Sequence, residues 1–139
     1  MMDAKEYLGR VRLLEARVNQ KQRQREEVLT MIEGVRSMSF GGRVDGSKNH
    51  DRITDAVIRL EKVEEECADA IAEFCEEKEK IINQIHKIND QRYEEILVKH
   101  YIEQKNLLKI SHEMIYSYDY IREIHPKALS AFERVLMAS

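Results

Sequence analysis

The sequence predicts an all-α protein: a long antiparallel helical hairpin, coiled-coil-like, followed by a small C-terminal group of short helices. Three observations lead there. Turn-forming residues are scarce, with five Gly and one Pro in 139 residues and no glycine after Gly46. Sheets and barrels need many turns, and turns draw on Gly and Pro. Apolar residues recur at alternating steps of three and four over two long stretches, which is the heptad pattern of packed helices. Finally, bases and acids are segregated onto those two stretches although the net charge is only -3.

The first helix is expected over 2–36. Its seam is Ala4, Tyr7, Val11, Leu14, Val18, Val28, Ile32 and Val35, with Lys21 and Arg25 at the two intervening positions. Residues 37–50 (SMSFGGRVDGSKNH) hold Gly41, Gly42 and Gly46 among small polar residues and read as a loop and hinge. The second helix is expected over 51 to about 90, started by Asn49 or Asp51 as N-cap. Its seam is Ile53, Val57, Leu60, Glu64, Cys67, Ile71, Phe74, Lys78, Ile81, Ile85 and Ile88. Each helix has one apolar stripe and cannot bury it alone. A hairpin core is thin, so self-association is expected as well.

Residues 10–25 hold six bases and one acid, while 61–79 hold nine acids and two bases. Folding the chain at 37–50, with residue 36 facing 50, lays one stretch on the other. Arg25 then faces Glu61, Arg10 faces Glu76, and Lys21 falls close to Glu64, with Arg17 in the same basic run. Opposite charges on the two helices set register and orientation. The basic run thus has its neutralising partner within the chain.

Several classes of function are disfavoured. No apolar run approaches the ~20 residues of a membrane span, and the start MMDAKEYLGRVR has no apolar leader region. Cys67 and Cys75 are eight residues apart, about 12 Å of helix rise, too far for a disulfide between them. A reducing, cytoplasmic setting is expected. His86, His100, His112 and His125 with the two cysteines show no zinc spacing. No phosphate loop, HExxH motif or nucleophile–base pattern occurs. The sequence therefore points away from an enzyme, a cofactor, a metal site and a small-molecule substrate.

From residue 90 the rhythm changes, and five of the six tyrosines lie here. Three shorter helices are expected. The first is 90–102, with an apolar face of Tyr93, Ile96, Leu97 and Tyr101. The second is 107–115, capped by Asn106. The third starts near 118, capped by Ser117 with Asp119 in its first turn, where an acid suits the helix dipole. Ile110, Met114, Tyr116, Ile121 and Ile124 sit at apolar spacings for a helix-turn-helix, and Ser111 supplies a small residue where the two helices approach. Pro126 is expected to kink or split the third helix.

The runs YEEILVKHYI and LLKISHEMIYSYDYIREIHPKAL resemble the region-four helix-turn-helix of bacterial sigma factors. With the GG-containing loop, SKNHD and the long acidic helix, the whole chain is similar to a family of small phage and prophage transcriptional regulators. The resemblance implies a scaffold hairpin over 1–89 and a DNA-binding module over 90–139. It implies that the third short helix enters a DNA major groove, with Lys109, Ser117, Tyr118, Arg122 and Lys127 as candidate contacts. Double-stranded DNA and RNA polymerase are the partners it suggests. The alternative is an interaction module, without DNA binding, that contacts the polymerase. Residues 101–139 carry five bases and five acids, and Asp119 and Glu123 lie on the face that the resemblance assigns to DNA.

Overall fold

The structure is a computed structural model that describes residues 3–40 and 46–138, with side chains described outside 38–40 and 46–49. Among the described residues there are five α-helices and no strand: α1 Ala4–Phe40, α2 Gly46–His86, α3 Gln91–Leu97, α4 Leu107–Met114 and α5 Tyr118–Ala138. A π-helical turn, Val98–Ile102, continues α3. The two long helices form the antiparallel hairpin.

Helix runs further into the expected loop than composition suggests. α1 continues to Phe40 and α2 starts at Gly46, so the 37–50 assignment is corrected at both ends. Nothing in SMSF or SKNH forbids helix, and a stripe already packed against a partner propagates helix beyond propensity alone. Asn49 and Asp51 lie inside α2 and do not start it. The glycines Gly41 and Gly42 fall outside the described residues. α2 ends at His86, short of 90, because Asn89 turns left-handed at φ 60°, a conformation asparagine tolerates.

Packing divides the chain into two units, residues 15–73 and residues 1–14 with 74–139. In the first, Val28 and Ile32 of α1 pack on Ala56 of α2, flanked by Leu60 and Val63. Val18, Cys67 and Ala70 are also buried. The inner stripe of α2 is therefore Ala56, Leu60, Val63, Cys67 and Ala70. The expected seam residues Val57 and Ile71 are 36% and 40% exposed, and Glu64 is exposed beside them. The physical reason is the carboxylate. A seam through Val57, Glu64 and Ile71 would desolvate Glu64. Turning the helix by one residue brings in Ala56, Val63 and Ala70 and leaves the charge in water.

Arg17 Nη1 meets Glu73 at 3.4 Å, Lys21 Nζ meets Glu66 at 2.9 Å and Arg25 Nε meets Glu64 at 3.3 Å. The basic stretch thus does lie on the acidic one, but Glu61 is not the partner of Arg25, and Glu64 serves Arg25 rather than Lys21. In the second unit Arg10 Nη1 meets Glu77 at 3.4 Å rather than Glu76. Every correction is toward a higher number on α2. Helical side chains lean toward the N-terminus of their own helix. In an antiparallel pair the two leans are opposed along the common axis, so tips meet between an α1 residue and an acid further along α2 than the one level with it. Lys21, by its hydrogen bond first, lowers the Glu66 carboxyl below its ordinary range.

The second unit packs Ala4, Leu8 and Val11 of α1 with Ile81 and Ile85 of α2, Leu97, Tyr101 and Ile102, and Ala128 and Phe132 of α5. Leu8 stands outside the expected heptad yet is fully buried. It faces the short helices as well as α2, so a two-helix seam does not describe its surroundings.

Exposed ion pairs contribute little individually, so their effect is on register. Reversing three of them (Arg17→Glu, Lys21→Glu, Arg25→Glu) is expected to lower Tm by a few degrees. Adding Glu64→Arg, Glu66→Lys and Glu73→Arg is expected to restore it. Thermal unfolding followed by circular dichroism reads both, and a failure of the swapped chain to recover would remove the charges as a register device.

Candidate nucleic-acid interface

Three side-chain caps position the short helices. Asp90 accepts from the backbone N–H of Arg92 at 3.1 Å and opens α3. Asn106 accepts from Lys109 N at 2.8 Å and opens α4. Ser117 Oγ accepts from Tyr120 N at 3.1 Å and opens α5. The Asn106 and Ser117 caps are those the sequence predicts.

Ile96, Ile110, Ile121 and Ile124 form the core that clamps α3, α4 and α5 together, with Tyr93, Leu107, Met114 and Tyr120 packed around it. Ser111 is buried at the helix approach, and its hydroxyl donates to Leu108 O at 2.6 Å. Ile115 ends α4 at φ 59°, ψ 44°, the left-handed conformation its position requires. Tyr116 N donates back to Ser111 O at 3.0 Å, tying off the turn. The unit is two helices joined by the turn 115–117, the geometry of a helix-turn-helix.

Two expectations are corrected here. Tyr116, expected in the apolar face, is 40% exposed and instead lies 5.0 Å from the Tyr120 ring. α5 also runs without a break through Pro126. Pro126 is exposed, so the carbonyl of Arg122 that lacks a donor faces water, while buried Ile124 and Ala128 hold the chain on either side.

The candidate contact residues are all exposed. Tyr118 and Arg122 are brought together: the guanidinium carbon lies 5.6 Å from the ring centroid. Lys127 Nζ pairs with Glu123 at 3.7 Å. Ser117 acts as a cap. Lys109 lies on α4, beside a shallow groove lined also by Leu108, His112 and Glu113. Lys99 and Lys105 are engaged elsewhere, both on Glu113, at 3.1 and 2.7 Å, with Glu103 also 2.7 Å from Lys105. Hydrogen bonds from Lys105 and Lys99 hold the Glu113 carboxyl below its ordinary range. Leu108, Ile115 and Tyr116 add an exposed apolar surface, Ile115 at 89%.

Sequence reasoning missed one cluster in this unit. Tyr101 Oη lies 3.0 Å from His125 Nε2, and the His100 and His125 rings are 5.1 Å apart, edge to face. His100 Nδ1 is 2.8 Å from Lys105 O. The π-helical turn swings His100 and Tyr101 toward α5, and no sequence period announces such a turn. Among the described residues no three metal-binding side chains come together, and no helix is long and apolar enough to cross a membrane. The chain matches no family model, curated protein or solved structure with which it was compared.

Burial, with the charges of His100 and Lys5 adding to it, holds His125 down at about 4, against an ordinary 6.5. The neutral ring accepts from Tyr101 in the tautomer that carries its proton on Nδ1. Unfolding frees His125 to bind a proton below pH 6.5, so its contribution is complete above that pH and is lost as pH falls from 6.5 to about 4. Since the ring is partly exposed, the loss is on the order of 1–2 kcal/mol after screening. His125→Gln keeps an acceptor for Tyr101 without a titrating ring. Its unfolding free energy is expected to fall less than wild type between pH 7 and pH 4.5; parallel profiles in urea titrations would rule the histidine out as the cause.

Proposed function

We propose that the chain is a DNA-binding transcriptional regulator of the phage type it resembles, with α5 as the recognition helix. It acts in the cytoplasm, without catalysis. What carries the reading is the α4–turn–α5 unit itself: two capped helices clamped by four buried isoleucines, presenting Tyr118 and Arg122 on the exposed N-terminal half of α5. Lys109 and Lys127 are the phosphate contacts. The hairpin joins copies of the chain into an oligomer through apolar residues it leaves exposed, Met31, Val57, Ile58 and Ile71. A dimer would present two recognition helices to two half-sites.

A second reading, an interaction module on RNA polymerase, is favoured by a specific observation. Leu108, Ile115 and Tyr116 form exposed apolar surface on a module whose charges balance.

The two readings separate by salt. With two lysines of each bound chain at phosphates, the logarithm of affinity for duplex DNA should fall with the logarithm of salt at a slope of about -2 per chain, about -4 for a dimer. Arg122→Ala with Lys127→Ala should abolish the mobility shift. Polymerase capture undiminished in the Arg122/Lys127 double variant, with no mobility shift by wild type at low salt, would favour the second reading.

Sedimentation equilibrium should give a mass above the 16.4 kDa chain. Val57→Asp with Ile71→Asp should return it to one chain at unchanged helicity.

A further inference from the structure

The outward face of α5 holds Tyr118, Asp119, Arg122, Glu123 and Lys127. Glu123 and Lys127 pair with each other. Among the described residues Arg122 forms no ion pair, although two acids lie within one turn of it on the same helix. Its guanidinium instead lies over the Tyr118 ring, one turn earlier at i,i+4.

That choice has a chemical meaning. A guanidinium bound bidentately to a carboxylate has its donor fork occupied. One held over a ring keeps its donor fork free of any protein carboxylate. The cation–π contact also restrains a side chain that otherwise carries much rotamer freedom. Tyr118 can serve as the platform because its own place is fixed: Ser117 caps the helix at the preceding residue, and Ile121 anchors the next turn in the core. The planar bidentate acceptor in a DNA major groove that matches such a fork is the O6/N7 edge of guanine.

We propose that Tyr118 is the positioning residue for Arg122 and that this cation–π pair reads one guanine in duplex DNA. The proposal rests on the DNA-binding reading above. It assigns specificity to a single preorganised cation on a face that is otherwise charge-balanced. Asp119, exposed beside the pair, is an acceptor suited to a cytosine amino group and repels phosphate. Binding through this face therefore depends on base contacts more than on phosphate attraction.

The test uses the full chain and a labelled random-core duplex library. Wild type is expected to enrich duplexes sharing one guanine. Replacing that guanine by 7-deazaguanine, which lacks the N7 acceptor, should weaken binding about tenfold or more. Arg122→Ala and Arg122→Lys should lose the preference and bind both duplexes alike. Tyr118→Phe should retain it. Tyr118→Leu should weaken binding to the guanine duplex about two- to tenfold while leaving Tm and helicity unchanged, since the side chain is 43% exposed.

Enrichment of the same guanine by Arg122→Ala overturns the assignment of Arg122. Equal guanine discrimination by Tyr118→Leu and wild type overturns the positioning role of Tyr118. Failure of wild type to enrich any duplex overturns the DNA-binding reading, and the proposal with it. That result is distinct from the first two, in which DNA binds and only the discrimination differs.

Discussion

An amphipathic helix has no stable existence in water until its apolar stripe is covered, and this chain has two long ones. How α1 and α2 cover each other determines the rest. Turning α2 by one residue buries Ala56 and Ala70 and packs Val63 at their edge, in place of Val57, Glu64 and Ile71. That keeps a carboxylate out of the seam and places Glu64 within 3.3 Å of Arg25. The same choice leaves Val57 and Ile71 half out in solvent. Avoiding one buried charge thus generates an ion pair and an apolar flank together.

The registry of charges is a consequence of side-chain direction. Because Cβ vectors tilt toward each helix's own N-terminus, facing backbones and facing charges are offset, and Arg10 reaches Glu77 while Arg25 reaches Glu64. Patterning at the level of whole stretches is legible in the sequence, because six bases and nine acids tolerate an error of a turn. Individual partners are not, since the lean of each side chain depends on its rotamer and on which seam is buried. The short helices were legible for a similar reason. Caps are local chemistry, so Asn106 and Ser117 announce α4 and α5, and isoleucines at helical spacing identify their core. What the sequence hides is the π-helical turn at Val98–Ile102. It has no residue code, and with it went the contact between Tyr101 and His125.

Ile115 shows how a poor local choice survives. A β-branched residue in left-handed conformation is unfavourable by roughly 1–2 kcal/mol, and this one gains nothing from burial at 89% exposure. It persists because its neighbours determine the turn. Tyr116 N returns to Ser111 O, Ser117 opens α5, and Ile110 and Ile121 are both buried in one cluster. A clamp of this kind fixes α5 against α4 whatever residue stands at 115. The side chain there is then free to be chosen by something outside the fold.

Pro126 belongs to the same logic. In an isolated helix it removes a hydrogen bond and strains the preceding turn. In α5 it lies on the solvent side between Ile124 and Ala128, so packing on the opposite face sustains the helix across the gap. Its consequence is positional. Residues before it, Tyr118 to His125, are held by the isoleucine core and the Tyr101 contact. Residues after it, Ala128 and Phe132, are held by α1 and α2. One helix thus carries two anchorages, and Tyr118 and Arg122 lie on the stretch held by the first. Exposed residues on that stretch can then change without disturbing the packing of the second.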